Sequence, residues 1–204
     1  MDDLPLQVSA LPVRRWCDSR LSLRRALPRT RRASATLQRL KQAKEGERIV
    51  AEYLDALRDE DCYVTHDLTG DKFNVDHVVI GPHGIFTVET KTISKPLKGS
   101  AKVLYDHGGG GFSPERDPIA QSQHQAAWLR RLLRDGTGKT FQVKPVVVYP
   151  GWYVVQTSKD LKSGVWVLEP KILGGRVKRE ALSLFKEDVR LVHHHLKLHM
   201  RAVA

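Results

Sequence analysis

Asn74-Val75-Asp76-His77-Val78-Val79-Ile80-Gly81-Pro82-His83-Gly84-Ile85-Phe86-Thr87-Val88-Glu89-Thr90-Lys91 is the stretch that decides the fold. Its centre, Gly81-Pro82-His83-Gly84, is turn chemistry between two apolar runs rich in β-branched residues, which is how a β-hairpin is written. Side chains alternate along a strand, so Glu89 and Lys91 project to one side and Thr90 to the other. Asp76 falls on the neighbouring strand. Two carboxylates and an ammonium on an otherwise apolar sheet are costly to bury without partners, and a bound divalent cation is one such partner.

On the N-terminal side the pattern turns helical, from near Ser34 to about Asp59. The apolar stripe Leu40, Ala43, Glu47, Val50, Leu54, Leu57 is spaced by three and four throughout. Glu47 occupies a core-facing slot in it. There it must be paired, protonated or metal-bound, unless it stands at the stripe's edge and reaches water. A strand is expected around Cys62–Thr65, then a turn through Thr69-Gly70-Asp71 leading into the hairpin. On the C-terminal side come a short strand at Lys102–Tyr105, a glycine-rich loop over 106–111, and a helix from Pro118 to Arg134. That helix opens on an Asp117 N-cap with Pro118 at its first position. Strands at Val143–Tyr149 and Val165–Leu168 follow, and Val189, Val192, Leu196, Met200 and Val203 mark a last helix. This order describes an α/β fold with a mixed central sheet flanked by helices. Residues 1–33 read as an arginine-rich flexible arm, 34–155 as the core, and 156–204 as a strand-and-helix extension packed on that core.

The chain has 204 residues and a net charge of +11, of which +6 lies in residues 1–40, where nine arginines face three aspartates. Such an arm favours nucleic acid without conferring sequence preference, and Arg14, Arg15, Arg24, Arg25, Arg31 and Arg32 are its candidate phosphate contacts. The competing reading is a terminus that only solubilises. No apolar run approaches the ~20 residues of a membrane span. The acidic start Met1-Asp2-Asp3-Leu4-Pro5 is unlike a signal peptide, so a cytoplasmic location is expected. Cys17 and Cys62 lie in dissimilar contexts with no CxxC, which points to thiols and no disulfide-linked partner.

Three motifs deserve weighing. Gly136-Thr137-Gly138-Lys139-Thr140 imitates the end of a phosphate-binding loop, but Leu133 stands where that loop needs glycine, and a helix precedes it instead of a strand. It reads as a helix-to-strand turn. His193, His194, His195 and His199 lack an acidic or cysteine third ligand nearby and read as a solvated face. Gln121 and Gln125, at i and i+4, are either an exposed polar stripe or amides that reach toward a phosphate or an attacking water.

Gly46-Glu47, the Asp76-to-Lys91 stretch, Asp117-Pro118-Ile119-Ala120-Gln121 and Val146-Val147-Val148-Tyr149-Pro150-Gly151 together resemble the NERD (nuclease-related) domain, a branch of the PD-(D/E)xK nuclease superfamily. The resemblance covers roughly residues 43–151. It implies a restriction-endonuclease-like three-layer sandwich and a nuclease that uses Mg2+ or Mn2+ to hydrolyse phosphodiester bonds of DNA, or of RNA. It further implies that Asp76, Glu89 and the Thr90 carbonyl hold the metal, with Glu47 joining directly or through water. Lys91 would orient or help deprotonate the attacking water, and Gln121 would be the trailing polar residue of the site. Val75 stands where the superfamily name has proline. The alternative is a catalytically inactive nucleic-acid-binding or adaptor module that keeps the nuclease fold.

Overall fold

The computed structural model of the chain describes residues 20–92, 102–104, 117–151, 153–155 and 162–203. Helix α1 spans Arg20–Asp55 and runs into a 3-10 turn, Ala56–Glu60. Strands β1 (Tyr63–Thr69), β2 (Asn74–Gly81), β3 (Gly84–Thr90) and β4 (Lys102–Leu104) follow. After them come α2 (Pro118–Thr137), β5 (Val143–Val148), β6 (Tyr153–Val155), β7 (Trp166–Leu168), α3 (Pro170–Lys178) and α4 (Lys186–Val203). The chain divides at Lys41/Gln42 into two compact units. The sheet and the site belong to the second.

The main sheet has five strands in the order β1-β2-β3-β5-β7. β1, β2 and β3 pair antiparallel, whereas β3, β5 and β7 pair parallel. The sheet is therefore mixed, as the alternation of elements predicts. The parallel step from β3 to β5 requires a crossover, and α2 supplies its helix. The Asp117 side chain accepts from the Ile119 N–H at 2.9 Å, Pro118 opens α2, and Gly138 at φ 71° closes it by donating its N–H to the Arg134 carbonyl. Residues 136–140 thus end a helix, as read from the sequence.

Each face of the sheet is covered by helices. Val50, Leu54 and Leu57 of the α1 region and Leu173 and Val177 of α3 pack with Val79, Phe86, Val88, Val146 and Val148. On the opposite face Ala126, Trp128, Leu129 and Leu133 of α2, with Val189, Val192 and Leu196 of α4, pack on Val78, Ile80, Ile85 and Val143. This is the three-layer α/β sandwich expected, with β3 at its centre and buried from Gly84 to Glu89.

The structure revises several details. The helix expected from Ser34 begins at Arg20, so residues 20–33 are helical and not an irregular arm. Their Arg, Leu and Ala content suits a helix, but no apolar period marks it. The rest of the arm, residues 1–19, lies outside the described residues. Burial along α1 also starts later than its stripe: Leu40 is 57% exposed, whereas Val50 and Leu54 are buried. β6 and α3 were not foreseen, the first being three residues long and the second carrying Gly174-Gly175, a pair that helix propensity argues against. Of the α4 histidines only His194 is exposed, so most of them are not the solvated face expected. His193 stacks on Tyr63 with ring centroids 3.9 Å apart, and His199 Nε2 lies 2.8 Å from the Thr69 carbonyl. Among the described residues no helix is long and apolar enough to cross a membrane.

Leu54→Ala should lower stability by about 2–5 kcal/mol through lost burial and the cavity left behind, whereas Leu40→Ala should stay within about 0.5 kcal/mol. Urea unfolding midpoints would show the contrast, and equal losses would contradict this packing.

Candidate active site

The β2–β3 register pairs His77 with Val88, and one step further along it sets Asp76 opposite Glu89. Opposed residues of antiparallel strands share a face. Asp76 and Glu89 therefore point the same way, toward α2. The parity of β3 also places Ile85 and Thr87 on this face, and α2 closes over it.

Glu89 is 3% exposed. Its Oε1 accepts from Lys91 Nζ at 2.5 Å and from Gln121 Nε2 at 2.7 Å, and its Oε2 accepts from Gln125 Nε2 at 2.6 Å. Gln121 Oε1 in turn accepts from Lys91 Nζ at 2.8 Å. Two amides one helical turn apart thus serve the two oxygens of one carboxylate. Lys91 is fixed from behind as well, since its N–H donates to the Val148 carbonyl at 2.9 Å, extending the β3–β5 pairing past Thr90.

Asp76 Oδ2 accepts from the Thr90 N–H at 2.7 Å. Burial, then the neighbouring charges of Glu89 and Glu47, push the Asp76 carboxyl up to about 7, with the Thr90 N–H and Lys91 acting in the opposite direction. Glu47 is half-buried, and burial followed by the charges of Asp67 and Glu89 raises its pKa too. Gly46 explains how α1 brings Glu47 here, because a Cβ at position 46 would collide with the Thr92 methyl group. Glycine allows the helix to approach the end of β3.

Glu47, Asp76, Glu89, Lys91 and Gln121 are thus gathered at one end of the sheet from α1, β2, the end of β3 and α2. Thr90 lies between Glu89 and Lys91 on the other strand face. Gln125 requires a correction: it is 1% exposed and bonded to Glu89 and the Asn74 carbonyl, so it cannot present an amide to nucleic acid. Arg14 and Arg15 lie outside the described residues. Arg24, Arg25, Arg31 and Arg32 lie on α1, with side chains that are not described. Sequence reasoning missed Asp67, which is exposed, carries a left-handed φ of 52°, and adds to the charge acting on Glu47. Aspartate tolerates that conformation better than most residues, and nothing in its spacing distinguishes it.

The residues suit a divalent ion in one manner only. Among the described residues no three His, Cys, Asp or Glu side chains lie close enough to enclose a metal, and both Glu89 oxygens already accept hydrogen bonds. After burial, the charge of Glu89 nevertheless raises the pKa of both Asp76 and Glu47, and neither Asp76 nor Glu47 forms an ion pair within 4.0 Å among the described residues. Hard oxygen donors around an unbalanced negative charge fit an ion such as magnesium, which binds through one or two carboxylates and keeps several waters.

A model of the nuclease-related domain matches residues 42–150, more than half of the chain and inclusive of every gathered side chain. The chain belongs to the nuclease-related domain family. That family falls within the PD-(D/E)xK superfamily. The chain is also 38% identical over 65 residues to an uncharacterized protein of Bacillus anthracis, a match covering 29% of this chain and 31% of the relative. It therefore spans less than a third of that relative's length. Among solved structures, Pyrococcus furiosus SfsA in complex with Ca2+ overlays 64% of this chain and 55% of its own, with 20% identity and a TM-score of 0.31. A likeness of that degree carries no argument about the nuclease-related domain or its site.

Because Asp76 holds its proton more tightly folded than unfolded, its contribution is greatest in acid and is lost as pH rises toward about 7. Metal-free protein should lose on the order of 1–4 kcal/mol between about pH 4 and about pH 8 from this group. Asp76→Asn keeps an acceptor for the Thr90 N–H and should remove most of that loss. Urea midpoints in EDTA at both pH values would show it, and parallel pH profiles for the two proteins would contradict the assignment.

Proposed function

We propose that the chain is a divalent-metal-dependent nuclease that hydrolyses phosphodiester bonds of DNA in the cytoplasm. The observation that carries this reading is the shared face of Asp76 and Glu89, with Lys91 Nζ 2.5 Å from Glu89 and 2.8 Å from Gln121. A purely structural ion pair would need Lys91 and Glu89 alone. It gives no reason for Asp76 and Glu47 to gather beside them at the cost of mutual repulsion.

Asp76, Glu89 and the Thr90 carbonyl would hold Mg2+ or Mn2+, with Glu47 joining directly or through water. When bound, the ion supplies the positive charge that phosphodiester hydrolysis needs at the phosphate oxygens. The chain's own residues do the remainder. Gln121 and Gln125 fix the Glu89 carboxylate by its two oxygens, so its direction is set before substrate arrives. The Thr90 N–H fixes one oxygen of Asp76 and leaves the other free. Lys91, tethered through its backbone to Val148 and through its ammonium to Glu89 and Gln121, holds the attacking water and stabilises charge developing on the phosphate.

Purified protein should cut plasmid and linear DNA with Mg2+ or Mn2+ and not with EDTA. Glu89→Ala and Lys91→Ala should each lower the rate at least about 100-fold, the scale of losing a group that acts in the transition state. Gln125→Ala should act through Glu89 and lower both rate and stability. DNA binding with no cutting under any of these metals would instead favour the inactive binding module.

A further inference from the structure

We propose that the groove beside the edge strand β1 is a docking track for the phosphate backbone of a nucleic acid, gripped by Lys197 and Arg201 without base reading. The proposal rests on the nuclease reading above, since the docked strand would be that site's substrate.

β1 ends the sheet order, so one side of it has no strand neighbour in the sheet. A groove of about 660 Å³ runs there, lined by Arg58, Tyr63, His66, His193, Lys197 and Arg201 among others. His193, Lys197 and Arg201 are spaced by four along α4, so they form one stripe about 12 Å long. Like charges at that spacing destabilise a helix unless something offsets them. Among the described residues neither Lys197 nor Arg201 has an acidic partner, although other lysines and arginines of the same unit do. The crowding is felt by His193, whose pKa is lowered by burial and then by Lys197 and Arg58. A polyanion would relieve this crowding. A stripe of this length spans about three nucleotide steps at ~3.4 Å of duplex axis each.

Two further observations narrow the occupant. Two carbonyls of β1 are already taken by side chains: Arg58 Nη2 donates to the Val64 carbonyl at 2.7 Å, and His199 Nε2 lies 2.8 Å from the Thr69 carbonyl. This blunts the edge against strand addition. The groove runs toward the acid end of the sheet, because the β1–β2 register that sets His66 of its lining opposite His77 brings Asp67 opposite Asp76 one step further on, although the His77 side chain itself faces away from Asp76. A backbone lying along β1 from Tyr63 would therefore run toward the end of the sheet that carries the acids.

The test is fluorescence anisotropy of the full chain with duplex DNA in EDTA, where nothing is cut, as a function of salt. Lys197 and Arg201 are both exposed, so Lys197→Gln/Arg201→Gln should leave the fold intact, as checked by thermal melting. The double variant should lower the log–log salt slope by about 1.8, some 0.9 per lost contact, and weaken binding on the order of a hundredfold at ~50 mM salt, irrespective of DNA sequence. Arg130→Gln/Arg131→Gln, removing equal charge from α2, should leave the slope within about 0.5. If the groove variant keeps the wild-type slope while wild type still binds and cuts, the groove is overturned and the nuclease reading survives. Equal losses in both double variants would mean net charge alone and would also overturn it. Preference of the groove for polyglutamate over DNA would overturn it in favour of an acidic protein partner. Should the slope fall as stated while wild type cuts nothing with Mg2+ or Mn2+, the track stands and the nuclease reading fails.

Discussion

A carboxylate buried to 3% exposure on the central strand of a sheet is tolerable only if each of its oxygens is served by a donor. Glu89 imposes that constraint, and much of the architecture answers it. α2 presents Gln121 and Gln125 one turn apart, and the strand itself returns Lys91 to the same face two residues on. Removing any one donor would leave charge or dipole unpaired in the interior. The crossover helix is thus bound in register to β3 by polar contacts as well as by the apolar packing of Ala126, Leu129 and Leu133.

The constraint also separates two kinds of acid in the same place. Glu89 accepts three hydrogen bonds and keeps one lone pair on Oε2, whereas Asp76 has one donor, the Thr90 N–H, and Glu47 accepts no hydrogen bond among the described residues. Among the described residues, Lys91 is the one ammonium bonded to this group. Negative charge therefore exceeds positive charge at the end of the sheet, and this excess adds to burial, the larger cause, in raising Asp76 to about 7. Either a proton or a cation relieves it. A divalent ion relieves it across the pH range where a proton does not remain, and this links the energetics of the fold to the proposed chemistry.

Much of this was legible in the sequence. Period-two patterning with a Gly-Pro-His-Gly turn fixes the hairpin register, and register alone determines that Asp76 and Glu89 share a face. Capping chemistry at Asp117 sets the start of α2, whereas its end, read at Arg134, lies at Thr137, where Gly138 caps it. The rest depended on information that spacing does not carry. Gln125 looks like an exposed amide until the depth of the α2–sheet contact is known. Glu47 reaches the site because Gly46 allows a close approach, a tertiary fact. The α4 histidines resemble a polar face because their partners, Tyr63 and Thr69, lie more than a hundred residues away in the chain. α3 carries a glycine pair against its propensity and is held by the burial of Leu173 and Val177.

The central claim, that this acid cluster is completed by a divalent ion, is tested most directly by calorimetric titration of Mg2+ and Mn2+ into the metal-free chain at about pH 8, above the titration of Asp76. The account predicts saturable binding to wild type that disappears in Asp76→Asn and in Glu89→Gln but persists in Lys91→Ala, since the ammonium serves the water and not the ion. No binding to wild type at millimolar ion, or binding that survives both carboxylate substitutions, would contradict it.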